Sequence, residues 1–129
     1  MSDGSLTGTV LDFTRTMEGL VADGTPPADW AALGEFVAVD EFERVGTFRE
    51  VQDWAQYTRM LTQWASSVDK FETCVQRVTE GGNLVFFEIE ERHHRGGGVH
   101  VVNSMTVFDF GEHGKIRRLN VYLQQGRAA

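Results

Sequence analysis

The sequence predicts an α+β fold in which helices cover one face of a curved antiparallel sheet. Three observations carry this: helical periodicity confined to the first half, four strand-like stretches in series in the second, and a glycine-bearing connection between each pair of strands. The 129 residues, 41% apolar and 24% charged, suffice for one domain with a core of ordinary size. A single domain over residues 1–129 is expected, with no internal repeat and no linker.

The first helix is predicted from about Leu6 to Ala22. Val10, Phe13, Met17 and Leu20 recur there at three- and four-residue spacing, and Asp12, Arg15 and Glu18 fall between them. Asp23-Gly24 supplies a stop. Thr25-Pro26-Pro27 is expected to cap a short second helix carrying Trp30 and Leu33. Phe36 to Phe48 alternates loosely and holds Asp40, Glu41 and Glu43, which reads as a strand with a polar end. Thr47-Phe48-Arg49-Glu50 has the spacing of a capping box, so a third helix is expected from Thr47 to about Val68, with Val51, Trp54, Leu61, Trp64 and Val68 as its apolar stripe. Tyr57 shares that stripe, so its hydroxyl must either find a partner or border a cavity.

Beyond Ser66-Ser67 the pattern becomes that of strands, at about 70–79, 84–94, 99–110 and 115–124. In the second of these, Val85, Phe87, Ile89, Glu91 and His93 share the more apolar face, leaving Phe86, Glu88, Glu90, Arg92 and His94 outside. A two-residue turn at Gly96-Gly97 predicts a register that pairs His93 with His100, Glu91 with Val102, Ile89 with Ser104 and Phe87 with Thr106. His100, Val102, Ser104, Thr106 and Phe108 then share the inner face. On the last strand Leu119, Val121 and Leu123 face in.

Charge and cysteine content exclude several function classes. A formal net charge of -7 repels a phosphate backbone or an anionic membrane surface, so no nucleic acid and no membrane partner is expected. Cys74 is the single cysteine, which cannot form an internal disulfide and fits a reducing compartment. The opening MSDGSLTGTV has neither a basic nor an apolar leader region, and a cytoplasmic location is expected.

The ending Phe108-Asp-Phe-Gly-Glu-His-Gly-Lys-Ile-Arg-Arg-Leu-Asn-Val-Tyr-Leu123 resembles the closing hairpin of the nuclear-transport-factor-2-like superfamily, in its SnoaL-like and ketosteroid-isomerase-like branch. The element order and the aromatic helix between Thr47 and Val68 extend the resemblance over essentially the whole chain. It implies a cone: the curved sheet of an α+β roll wrapped around the N-terminal and central helices, enclosing an apolar pocket. It also implies pairing of two chains through the outer sheet face. Function does not follow, because this superfold hosts isomerases, dehydratases, hydrolases, polyketide cyclases and non-catalytic domains. The family's oxyanion tyrosine and aspartate correspond to Thr16 and Thr106, so that oxyanion hole is missing. Its isomerase base falls near Glu41. The acid, arginine and acid of limonene-epoxide-hydrolase-like enzymes fall on Glu91, Ile89 and Val121, an incomplete triad.

The candidate catalytic residues are therefore Glu91, His93, His100 and Glu41. A carboxylate that holds one imidazole while a second lies nearby suits proton abstraction and return. The competing reading makes His93 and His100 a solvated cross-strand pair near a turn. The ligand-facing wall is expected from Phe13, Met17, Trp54, Tyr57, Ile89, Val102, Ser104, Thr106, Leu119 and Val121. Neither a cofactor nor a metal is expected, since Glu91, His93 and His100 lack metal-binding spacing. The reading that results is a cofactor-independent enzyme acting on a small, mostly apolar organic ligand. Its alternative is a non-catalytic binding or dimerisation domain. A homodimer is expected through Val101, Met105, Val107 and Tyr122 on the outer face.

Overall fold

The computed structural model describes residues 5–24 and 30–125. Helix α1 spans Leu6–Ala22, with the Ser5 hydroxyl accepting from the Gly8 N–H as its N-cap. It is held to the sheet at both ends. The backbone N–H and hydroxyl of Thr7 both donate to Glu80, at 3.0 and 2.8 Å, and those of Thr73 both donate to Glu18, at 2.7 and 2.6 Å. Helix α2, Ala31–Gly34, is tied to the third helix by Trp30, whose indole N–H donates to the Thr62 hydroxyl. The cap expected at Thr25-Pro26-Pro27 lies outside the described residues.

The segment between Phe36 and Phe48 is not one strand. Val37 makes an isolated parallel bridge to Ile116, Val39–Glu41 forms a single 3-10 turn, and β1 is only Glu43–Val45. A tight turn then leads into β2, Val51–Gln52, with Arg49 at φ 68°. Thr47 is consequently in a hairpin turn rather than at a helix start. Its supposed partner Glu50 accepts from the Phe48 N–H instead. Helix α3 begins later, at Trp54, and runs to Ala65. The working capping box is Asp53 with Gln56: the Asp53 carboxylate accepts from the Gln56 N–H at 2.8 Å and the Gln56 side chain accepts from the Asp53 N–H at 2.9 Å. The late start follows from pairing, because Val51 and Gln52 are committed to β1 before the helix can begin. Val68, beyond the helix, packs with Val21 and Phe71 in a small second cluster.

Strands β3 (Lys70–Gly81), β4 (Leu84–Arg95), β5 (Gly98–Phe110) and β6 (Ile116–Gln125) form an antiparallel series, as the sequence predicts. The β4–β5 register is the predicted one throughout, His93 opposite His100 and Phe87 opposite Thr106. Gly96 and Gly97 have φ of 53° and 87°, the two left-handed positions of a turn that only glycine takes without strain.

The whole sheet is mixed rather than antiparallel. Its order is β2-β1-β6-β5-β4-β3, and β1 runs parallel to β6. A parallel neighbour needs a long crossover, here the entire stretch from α3 through β5, so no local pattern announces it. Register shifts in β3, between Val75 and Arg77, and in β5, between Asp109 and Phe110, mark irregularities of the kind that bend strands in a curved, unclosed sheet. The core lies between its inner face and the helices, with Val10, Leu33, Val85, Phe87 and Ile116 fully buried. Each such side chain contributes about 1.5–3 kcal/mol of burial.

Candidate functional site

Between α1, α3 and the inner sheet face lies a cavity of about 240 Å³. Phe13 and Met17 reach it from α1, Tyr57, Leu61 and Trp64 from α3, and Phe87, Ile89, Phe108, Leu119 and Val121 from the sheet. Against this apolar lining stand a few polar groups: Arg44, Tyr57, Glu91, His93, Thr14, Thr73 and Thr106.

Glu91 and His93 sit two residues apart on β4, so strand alternation turns both inward. They belong to a four-residue chain of hydrogen bonds. The Trp64 indole N–H meets His93 Nδ1 at 3.0 Å, His93 Nε2 meets Glu91 Oε1 at 2.9 Å, and the Ser104 hydroxyl donates to Glu91 Oε2 at 2.6 Å. An indole nitrogen only donates, so Nδ1 must accept and the ring proton rests on Nε2, which donates to the carboxylate. The His93 ring is further held by Phe71, with centroids 5.1 Å apart, and lies across the edge of Trp64. Glu91 and His93 nonetheless keep 18% and 12% of their side-chain surface accessible. Each Glu91 oxygen has a second lone pair beyond its one bond.

Tyr57 is buried, and its hydroxyl has no hydrogen-bond partner among the described residues. Every fully enclosed polar side-chain atom described has a partner, so this hydroxyl opens onto the cavity. Burial pushes its pKa from 10.0 up to about 12, an effect opposed by the Arg44 charge and reinforced by that of Glu91. Tyr57 is therefore a hydrogen-bond donor at any physiological pH.

The sequence did not single out Arg44. Its strand partner is Leu119, an inward residue, and this places it on the inner face. Its guanidinium carbon lies 5.8 Å from the centre of the Tyr57 ring, and Nη1 donates to Gln52 at 3.0 Å. The signal was available, since Phe42 and Arg44 share one side of an alternating stretch, but a three-residue strand gives alternation little to work with. By spacing Trp64 belongs to a helix stripe; its bond to His93 crosses from helix to sheet and has no sequence signature.

Other expected site residues are placed differently. Glu41 is exposed in the 3-10 turn and does not line the cavity, because that turn interrupts the strand meant to carry it inward. His100 lies across from His93, with ring centroids 6.2 Å apart, yet it is exposed near the Gly96-Gly97 turn and outside the cavity. Trp54, at the first turn of α3, packs edge-on against Phe42 and lines a separate surface groove beside Trp30. Val102 and Ser104 are buried, but neither lines the cavity; the Ser104 hydroxyl donates to Glu91. Phe13, Met17, Tyr57, Ile89, Thr106, Leu119 and Val121 all line it.

Among the described residues no group of three or more His, Cys, Asp or Glu side chains is arranged to hold a metal ion, and no helix is long and apolar enough to cross a membrane.

No protein-family model and no curated protein matches the sequence. Solved structures do match its fold. An NTF2-like protein from Anabaena variabilis superposes with a TM-score of 0.69 at 17% identity, over 98% of this chain and 96% of that one. A protein assigned as a SnoaL-like polyketide cyclase from Jannaschia sp. CCS1 gives 0.69 at 15% identity, over 96% and 92%. A protein with a ketosteroid isomerase-like fold from Catenulispora acidiphila, in complex with trimethylamine, gives 0.64 at 16% identity, over 85% and 83%. At such identities the likeness speaks for architecture alone. On that architecture, from the paired helices to the closing β5–β6 hairpin, this chain has the nuclear-transport-factor-2-like fold shared by SnoaL-like and ketosteroid isomerase-like proteins.

Proposed function

We propose that this protein is a cofactor-independent enzyme that moves a proton on a small, mostly apolar organic molecule held in the cone. The observation that carries the reading is the pairing, in one cavity, of an anchored carboxylate with a phenol hydroxyl that has no hydrogen-bond partner among the described residues. Glu91, aimed by His93 and Ser104, takes a proton from a carbon next to a carbonyl. The Tyr57 O–H donates to the oxygen on which the enolate charge gathers, the role its high pKa suits. Protonated Glu91 then returns the proton to another carbon, which isomerises the substrate, or to a departing hydroxyl, which dehydrates it. His93 and Trp64 are positioning residues, since both ring nitrogens of His93 are engaged within the protein. The exposed, free Cys74 fits a reducing cytoplasm.

A second reading, a binding domain without turnover, is favoured by one detail: both Glu91 oxygens already accept hydrogen bonds. Solvent deuterium exchange separates the two. Small enolisable ketones incubated with the protein in D₂O are expected to gain deuterium at the α-carbon, and Glu91→Gln is expected to abolish the gain. Ligand-induced shifts in the protein spectrum with no deuterium incorporation over a broad ketone panel would leave the binding domain.

We also propose a homodimer through the outer sheet face. Phe86, Val101 and Tyr122 are exposed there, and Met105 and Val107 lie between them across β4, β5 and β6. Ion pairs flank this strip, Arg77 with Glu88 at 2.7 Å and Arg92 with Glu90 at 2.8 Å, and Asn103 and Asn120 lie among its apolar residues.

A further inference from the structure

We infer that Arg44 selects the ligand of this cavity by binding a carboxylate on it, so that small monocarboxylic acids with an apolar body are bound in preference to their neutral counterparts. The inference rests on the reading of the cavity as a ligand site and adds the chemical class of the ligand.

Arg44 is the lysine or arginine among the described residues that line this cavity, and only 14% of its side-chain surface remains accessible. A guanidinium so far withdrawn from water ordinarily faces a carboxylate in a two-pronged bond. Here it does not. Its one hydrogen bond among the described residues goes from Nη1 to the neutral Gln52 side chain. Its nearest carboxylate, Glu50, makes only a long ion pair: half exposed, its Oε2 stands 3.9 Å from that same Nη1, while its Oε1 accepts from the Phe48 N–H. Nε and Nη2 have no described partner. That leaves one edge of the fork free, with the geometry two carboxylate oxygens require.

The arginine is held in place for this use. Gln52 is its cross-strand neighbour, and the Gln52 amide in turn reaches Met60 Sδ at 3.7 Å, which links β1 through β2 to α3. Gly46 leaves room for the Arg44 and Glu50 side chains: a Cβ on it would lie 2.9 Å from Arg44 Nη1 and collide with the Glu50 carboxylate. Charge completes the case. Arg44 and Glu91 both line the cavity from the inner sheet face, on β1 and β4, so an acid bound with its carboxylate on Arg44 pairs that group with the cation and presents its apolar part to the remaining wall. At about 240 Å³ the space is below the roughly 300–1,000 Å³ of most small-molecule pockets, which limits the body to about one ring.

The test is a calorimetric or NMR titration of the folded protein with phenylacetate and with its neutral isostere phenylacetamide. Wild type is expected to bind the acid at least about tenfold more tightly than the amide. In Arg44→Met, which keeps the apolar stem, the preference is expected to vanish while phenylacetamide binding persists, and Arg44→Lys should restore part of it. Equal affinity for acid and amide in the wild type overturns the inference, as does an undiminished preference in Arg44→Met or failure of both probes to bind at millimolar concentration. Deuterium exchange on neutral ketones is independent of this outcome, so loss of the acid preference with exchange intact would sink the selectivity role and leave the proton-transfer reading standing.

Discussion

The indole N–H of Trp64 meets Nδ1 of His93 at 3.0 Å, which fixes the tautomer of a histidine that would otherwise be free to choose. The proton on Nε2 then points at Glu91, and the carboxylate is aimed by a helix residue it never touches. Trp64→Phe removes the N–H donor while keeping an aromatic ring beside Phe71. Long-range ¹H–¹⁵N correlation spectra are expected to show His93 as the Nε2–H form in the wild type and as a tautomer mixture in Trp64→Phe. An unchanged pattern would remove the tautomer role from Trp64.

Glu91→Gln is close in shape, and its amide can still accept from His93 and face Ser104, so the bond network persists in outline. The melting temperature is expected to shift by only a few degrees, whereas proton exchange should fall by about 10²–10⁴-fold, the usual weight of a general base. A variant that unfolds, or one that retains full exchange, would count against the carboxylate as the base.

Tyr57→Phe removes a hydroxyl with no described protein partner, so stability is expected to hold or rise slightly while exchange falls about 10²–10³-fold through loss of the oxyanion donor. The same residue makes a pH prediction. In the unfolded chain Tyr57 ionises near its ordinary value of 10.0, in the native protein near about 12. The native state therefore binds the extra proton between these values, and Tyr57 contributes stability that is complete below pH 10 and lost as pH rises toward 12. The difference in phenolate absorbance between the wild type and Tyr57→Phe should show Tyr57 ionising at about 12. Ionisation near 10.0 would contradict the enclosed setting of Tyr57.

For the outer face, sedimentation at micromolar concentration is expected to give a species of twice the 14.5 kDa chain mass. Val107→Lys, placed between Phe86 and Asn120, should return it to the monomer without unfolding it. A wild-type monomer at that concentration rules the dimer out.

Asp53→Ala should cost about 0.5–2 kcal/mol by removing the cap of α3, and Thr47→Ala almost nothing. Urea denaturation of the two variants checks this. The reverse order would return the helix start to Thr47.

Periodicity and glycine turns carried most of this architecture. The four long strands, the β4–β5 register and the inward set from Val85 to His93 were all legible because a strand alternates with a strict period of two and a Gly96-Gly97 turn leaves one way to close. The first helix was legible for the same local reason. Where elements are short, pairing overruled pattern: Thr47 resembles a cap, but Val51 and Gln52 bond to β1 and the helix waits for Asp53. The site divides along the same line. Glu91, His93 and Tyr57 could be placed toward a cavity from their own neighbours in sequence. That Trp64 would hold His93, that Ser104 would occupy Glu91, and that Arg44 would stand beside Tyr57 depends on contacts spanning 29 and 13 residues and on the parallel placement of β1 against β6. Such contacts are settled by packing across the whole domain, because the free energy of a long-range bond is set by which surfaces the core brings together and leaves no trace in local spacing.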